Sequence, residues 1–93
     1  MSEYMEIESE LSDDGQEIYV YTNLRLTADG ESERYDSLVA MEEGSPVAQA
    51  LAVIEGIAKL HIEGSDMVIQ PASDAAWHTI AEDVSAALKD FFL

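Results

Sequence analysis

Ninety-three residues make one domain, with room for a single modest core and little left over for a deep substrate cleft. Twenty Asp and Glu stand against 4 Lys and Arg, a net charge of −16, which argues against nucleic-acid backbones and anionic lipid as partners, since both need clustered cations. The 47% apolar content is too high for a disordered chain, and the absence of cysteine excludes disulfides, thiolate nucleophiles and Cys-ligated zinc or iron–sulfur clusters.

The N-terminus, Met1-Ser2-Glu3-Tyr4-Met5-Glu6, carries neither a basic run nor an apolar core of the kind a secretory signal needs. No stretch approaches the roughly 20 apolar residues that span a bilayer. The expectation is a cytoplasmic protein with no membrane association. Residues 1–17 hold Glu3, Glu6, Glu8, Glu10, Asp13, Asp14 and Glu17 and no Lys or Arg. Residues 1–16 accordingly read as an acidic, partly flexible arm ahead of a single domain at 17–93, although Glu6 to Leu11 alternates as a short edge strand would.

Regular structure is expected from Glu17. Ile18, Val20, Thr22, Leu24 and Leu26 alternate with Tyr19, Tyr21, Asn23, Arg25 and Thr27, the period of a strand with one face on the core. Thr27-Ala28-Asp29-Gly30 reads as a turn and residues 32–38 as the returning strand of an antiparallel hairpin. Gly44-Ser45-Pro46 is a helix start: Ser45 as N-cap, Pro46 at the first helical position, where a missing N–H costs nothing. Val47, Leu51 and Ile54 lie on one stripe and Gly56 suits the residue after the helix, giving a helix over about 46–55.

Ile57 to Glu63 alternates again, with Ala58, Leu60 and Ile62 on one side and Ile57, Lys59 and His61 on the other. A turn at Glu63-Gly64-Ser65-Asp66 leads into Met67 to Gln70, stopped by Pro71. Ser73 or Asp74 caps a last helix whose stripe is Trp77, Ile80, Val84, Leu88 and Phe91. The order ββαββα predicts an α+β, two-layer domain: one antiparallel four-stranded sheet with two helices on one face. The expected core is Val20, Leu24, Leu26, Val47, Leu51, Ile54, Leu60, Ile62, Trp77, Ile80, Val84 and Leu88.

From Ser45 onward the sequence resembles the N-terminal domain of the Nfu (NifU-like) iron–sulfur scaffold family. The resemblance lies in Gly44-Ser45-Pro46-Val47-Ala48, then Ile54-Glu55-Gly56-Ile57, then a hairpin with Gly64 and Asp66, then Trp77 opening a helix that ends Ala87-Leu88-Lys89-Asp90-Phe91-Phe92. It covers roughly residues 17–93. It implies the fold above and an accessory or docking role near iron–sulfur cluster assembly, with a protein of that machinery as partner. The family's Cys-x-x-Cys domain, which holds the cluster, has no counterpart in a chain without cysteine, and no cofactor is expected. Where the family opens with a Thr-Pro-Asn-Pro-Asn segment, Leu11 to Gln16 contains no proline.

Three constellations carry candidate chemistry. Asp74, His78 and Glu82 share a helix face at the spacing of a metal site, against the plainer role of a solvated face with local charge pairs. His61 with Glu63 could serve as a general base, but no nucleophile motif accompanies it. Together they define the alternative function, a small ligand- or metal-binding domain or hydrolase using His61 or His78. Trp77 with Phe91 and Phe92 reads as core packing for the first two and exposure for Phe92. The favoured function is a non-enzymatic, monomeric protein-interaction domain. Its interaction face is the uncovered side of the sheet: Tyr19, Tyr21, Asn23 and Arg25, Lys59 and His61, and Val68 and Gln70.

The charge itself makes a prediction. Self-repulsion at −16 opposes the compact state, and salt shortens the Debye length from about 30 Å at 0.01 M to about 3 Å at 1 M. The melting temperature at neutral pH should rise between 0.01 M and 1 M NaCl. A flat or falling melting temperature contradicts the repulsion account.

Overall fold

The computed structural model describes residues 6–27, 30–72 and 76–92. The chain runs β1 (Ile7–Leu11), β2 (Ile18–Thr22), β3 (Ser32–Tyr35), α1 (Leu38–Glu42), α2 (Pro46–Leu51), β4 (Ile57–Glu63), β5 (Asp66–Pro71) and α3 (Trp77–Phe92). The strands form one antiparallel sheet in the order β1-β2-β5-β4-β3. The α+β class and antiparallel sheet are as expected; the fifth strand and third helix are additions.

The fifth strand is β1, inside the segment read as an arm. It pairs along its length with β2, from Ile7 opposite Thr22 to Leu11 opposite Ile18. The connecting turn closes on itself. Ser12 N–H donates to the Glu17 carbonyl at 2.8 Å, Glu17 N–H to Ser12 Oγ at 3.0 Å, and Ser12 Oγ–H to Asp14 Oδ1 at 2.7 Å. Ser12's hydroxyl and then Gln16's N–H hold the Asp14 carboxyl below its ordinary pKa.

The expected β2–β3 hairpin does not form. Past Thr22 the chain instead clasps the β4–β5 turn. Thr22 N–H and Oγ1 both donate to the Ser65 carbonyl, and Leu26 and Thr27 N–H donate to the Gly64 carbonyl. Gly64 N–H donates to Thr27 Oγ1 at 2.8 Å, and Thr27 Oγ1–H donates to the Glu31 carbonyl at 3.0 Å. Thr27 is the one buried polar residue among those described. Having passed the end of the β4–β5 hairpin, the chain pairs with β4 rather than β2, so β3 becomes the far edge. Ala28 and Asp29 of the expected turn lie outside the described residues.

β3 ends at Tyr35, three residues short of expectation, because Ser37 caps α1: its side chain accepts the Ala40 N–H at 3.1 Å. α1 buries Met41 fully. In α2, Ser45 caps and Pro46 opens as expected. The helix stops at Leu51 rather than Glu55, and an Ile54 N–H to Leu51 carbonyl bond tightens the exit while keeping Ile54 buried. Gly44 precedes the cap because a Cβ there would overlap the Tyr35 ring. The Tyr35 hydroxyl accepts from Ser45 N–H and donates to Glu33 Oε1, which also takes the Ser45 hydroxyl proton, tying edge strand β3 to α2.

Register sorts the sheet into two faces. Leu11, Ile18, Ile69, Leu60 and Tyr35 form one row across all five strands, and Ser9, Val20, Met67, Ile62 and Glu33 form the next. These rows lie under the helices: α1 meets β3 and β4, and α3 meets β1, β2 and α2. Val47, Ala48, Leu51, Ile80, Val84 and Leu88 complete a single core with them. Leu24 and Trp77, expected buried, are only partly covered and pack at its margin. A register irregularity between Ile57 and Lys59 turns Ile57 inward, against the simple alternation that assigned Ala58 there. Phe91 is 42% exposed rather than packed, while Ile80, Val84 and Leu88 on the same helix are buried.

Leu51→Ala should cost on the order of 2–5 kcal/mol through lost burial and a residual cavity. Thr27→Val should cost about 0.5–1.5 kcal/mol by removing the hydroxyl that bonds the Gly64 N–H and the Glu31 carbonyl. Urea unfolding at neutral pH checks both; a Thr27→Val midpoint equal to the parent's would show that the clasp contributes nothing.

Candidate functional site: the uncovered sheet face

The opposite parity of every strand faces away from the helices. Glu10, Tyr19, Val68, His61 and Arg34 make one row from β1 to β3, and Glu8, Tyr21, Asp66, Glu63 and Ser32 the next. Tyr19 and Tyr21 are therefore on the open side and Val20 is buried, as the period-two reading required. Lys59, opposite Gln70, belongs to the same face.

The face mixes charges: Glu8 and Glu10 lie at the β1 edge, Asp66 and Glu63 on β5 and β4, and Lys59, His61 and Arg34 on β4 and β3. A depression of about 460 Å³ opens there, lined by Tyr19, Arg34, Lys59, His61 and Gln70 with Glu17 and Asp36 among its other residues. His61 Nε2 lies 3.9 Å from Glu63 Oε2 on the same strand face.

Two residues of the expected face are placed differently. β2 ends at Thr22, so Arg25 and Asn23 lie beyond it, in the segment that turns toward the β4–β5 hairpin. Asn23 is used at the start of β1, its Oδ1 accepting Glu6 N–H at 3.0 Å and its N–H donating to the Glu6 carbonyl. Arg34 takes the place assigned to Arg25. Its signal was present in the sequence: Glu33 and Tyr35 alternate with Ser32 and Arg34, and an inward Tyr35 sends Arg34 outward.

The tyrosines sit in an acidic field. The Glu17 carboxylate is the main cause that raises the Tyr19 phenol pKa above its ordinary value, followed by partial desolvation. For Tyr21, desolvation leads, then the hydrogen bond from its hydroxyl to Glu10 Oε1 at 3.2 Å. Both phenols thus remain neutral donors at neutral pH.

The other candidates are less gathered. His78 is exposed and stacks on Trp77 with ring centroids 4.0 Å apart. It lines, with Trp77, Glu82, Ile7 and Ser9, a shallow groove between α3 and β1. Asp74, the third member of that constellation, and Ser73 lie outside the described residues. Among the described residues no group of three His, Cys, Asp or Glu is arranged to hold a metal ion, and no helix is long and apolar enough to cross a membrane.

The fold and the open face define a class: a two-layer α+β domain with its helices on one side of an antiparallel sheet. Of solved structures, the crystal structure of protein SAV1430 from Staphylococcus aureus is similar, with a TM-score of 0.71 over 88% of this chain and 96% of that one, at 13% sequence identity. At that identity the likeness is one of fold. No family model matches the chain, and no curated protein matches it in sequence.

The phenol shifts give a test with a defined sign. A pKa raised in the folded state contributes stability that is present below the unfolded value near 10.0 and lost as pH rises through the folded value. Spectrophotometric titration should show Tyr19 and Tyr21 ionising above pH 10, and Glu17→Gln should move the Tyr19 midpoint back toward 10. An unmoved midpoint would reject Glu17 as the cause.

Proposed function

We propose that this chain is a non-catalytic accessory domain that docks a protein partner on the uncovered face of its sheet. The observation that carries the proposal is the composition of that face. Two tyrosines and two of the chain's 4 Lys and Arg share one side of five strands while the helices seal the other. Tyr and Arg combine large contact area with hydrogen bonding and are the side chains most enriched at binding hot spots. The resemblance of roughly residues 17–93 to the Nfu N-terminal domain supports a partner from iron–sulfur cluster assembly. In that setting the domain would recognise or position another protein and leave the cluster to that protein's thiolates.

The test is a Tyr19→Ser, Tyr21→Ser double variant, checked for an unchanged circular dichroism spectrum and melting temperature. Immobilised parent protein should retain a partner from the native cell extract that the variant retains at least tenfold less. Equal recovery on both, or nothing retained by either, contradicts the proposal.

A further inference from the structure

The cations of the open face are arranged against the trend of the molecule. In a chain with 20 carboxylate side chains, two of its 4 Lys and Arg converge with a histidine on one depression. Arg34 is the direct cross-strand neighbour of His61, and Lys59 lies two residues from His61 on the same strand face. Like charges set side by side repel unless an anion lies between them. Among the described residues neither Arg34 nor Lys59 has a carboxylate oxygen within 4.0 Å, although Glu17 and Asp36 line the same depression. Arg34 and Lys59 are both exposed, so their donors are turned to solvent.

We infer that Arg34, Lys59 and His61 form a receptor for the side-chain carboxylates of an acidic segment of the docked partner. This rests on the docking function proposed above and names the chemistry it recognises. Arg34 offers the planar two-pronged fork that matches a carboxylate, Lys59 a point charge, and His61 a ring N–H. Tyr19, one strand beyond Val68 in the same row, adds a neutral hydroxyl donor and an aromatic surface. The shape selects a segment over a free small acid. The depression is an open one spread over several strands, whereas small-ligand sites enclose most of their ligand. An extended chain laid along the Arg34–His61–Val68–Tyr19 row meets Arg34, His61 and Tyr19, with Lys59 two residues from His61 along β4.

Net charge does not forbid this. At 0.15 M ionic strength the Debye length is about 8 Å, so repulsion from the distant acids is largely screened. The acidic β1 edge, at the other end of the face, then sets direction: the segment's carboxylates go to β3 and β4, and its continuation over β1 is neutral or basic.

The probe is an acetylated tetraglutamate peptide titrated into the full chain at 0.15 M NaCl and followed by backbone amide NMR. Saturable shifts are expected at Arg34, Lys59 and His61. The Arg34→Gln, Lys59→Gln variant should keep the parent's amide spectrum elsewhere and bind at least tenfold more weakly. A tetralysine peptide should leave those three amides unmoved. Absence of shifts there, or equal binding by the variant, overturns the inference. So does glutarate binding as tightly as the peptide, which would make the site one for free dicarboxylates. Because the peptide assay uses no partner, its failure removes the carboxylate receptor and leaves tyrosine-dependent capture standing. Failure of that capture removes the docking function instead.

Discussion

The clasp between Thr27 and the β4–β5 turn decides the architecture. One threonine hydroxyl accepts from Gly64 and donates to Glu31, while the neighbouring backbone N–H groups of Leu26 and Thr27 close on the Gly64 carbonyl. Gly64 has φ of 64°, so its backbone turns sharply enough to present both its N–H and its carbonyl to the passing chain. A segment tied there cannot fold straight back onto β2. It passes the hairpin end and delivers β3 to the edge beyond β4, which sets Arg34 beside His61. The open-face cation cluster is thus a consequence of topology, fixed by a polar contact at the end of the sheet.

The second constraint is that the helices lie on one side only. Among the described residues seventeen apolar residues are well buried, most of them on the helices and the inward parity of the strands, and that single core leaves the outward parity without cover. In an ordinary solvated sheet, cross-strand neighbours of opposite charge would neutralise one another along such a face. Here acids line β1 and the end of the face at Asp66 and Glu63, while Arg34, His61 and Lys59 gather toward the other end of β3 and β4.

Period-two patterns were legible because each central strand is buried on one side only. Ile18-Tyr19-Val20-Tyr21 needed no neighbours to reveal which way Tyr19 and Tyr21 point, and the steps from Ile80 to Val84 to Leu88 marked the seam of α3 in the same way. What failed was non-local. Nothing near Thr27 announces that its hydroxyl will bond a glycine 37 residues away, so Asp29-Gly30 reads locally as a hairpin turn. The alternation of β1 from Glu6 to Leu11 is visible in the sequence but outweighed by its charges: as an edge strand it needs little apolar surface, and its half-buried Ile7 and Leu11 sit among acids. α1 was hidden by its five-residue length, too short for a helical period to show. The same error cost the site Arg34, because the true neighbour of β3 is β4, and only that pairing puts its outward residue against His61.

The measurement that bears most directly on this account is a set of interstrand nuclear Overhauser contacts on the full chain. The account predicts backbone contacts from Arg34 to His61, from His61 to Val68 and from Val68 to Tyr19, with none between β2 and β3. Contacts joining Arg34 or Tyr35 to the Tyr19–Tyr21 stretch would show that β2 and β3 form a simple hairpin. The clasp, the far-edge position of β3 and the cation cluster would then all be wrong together.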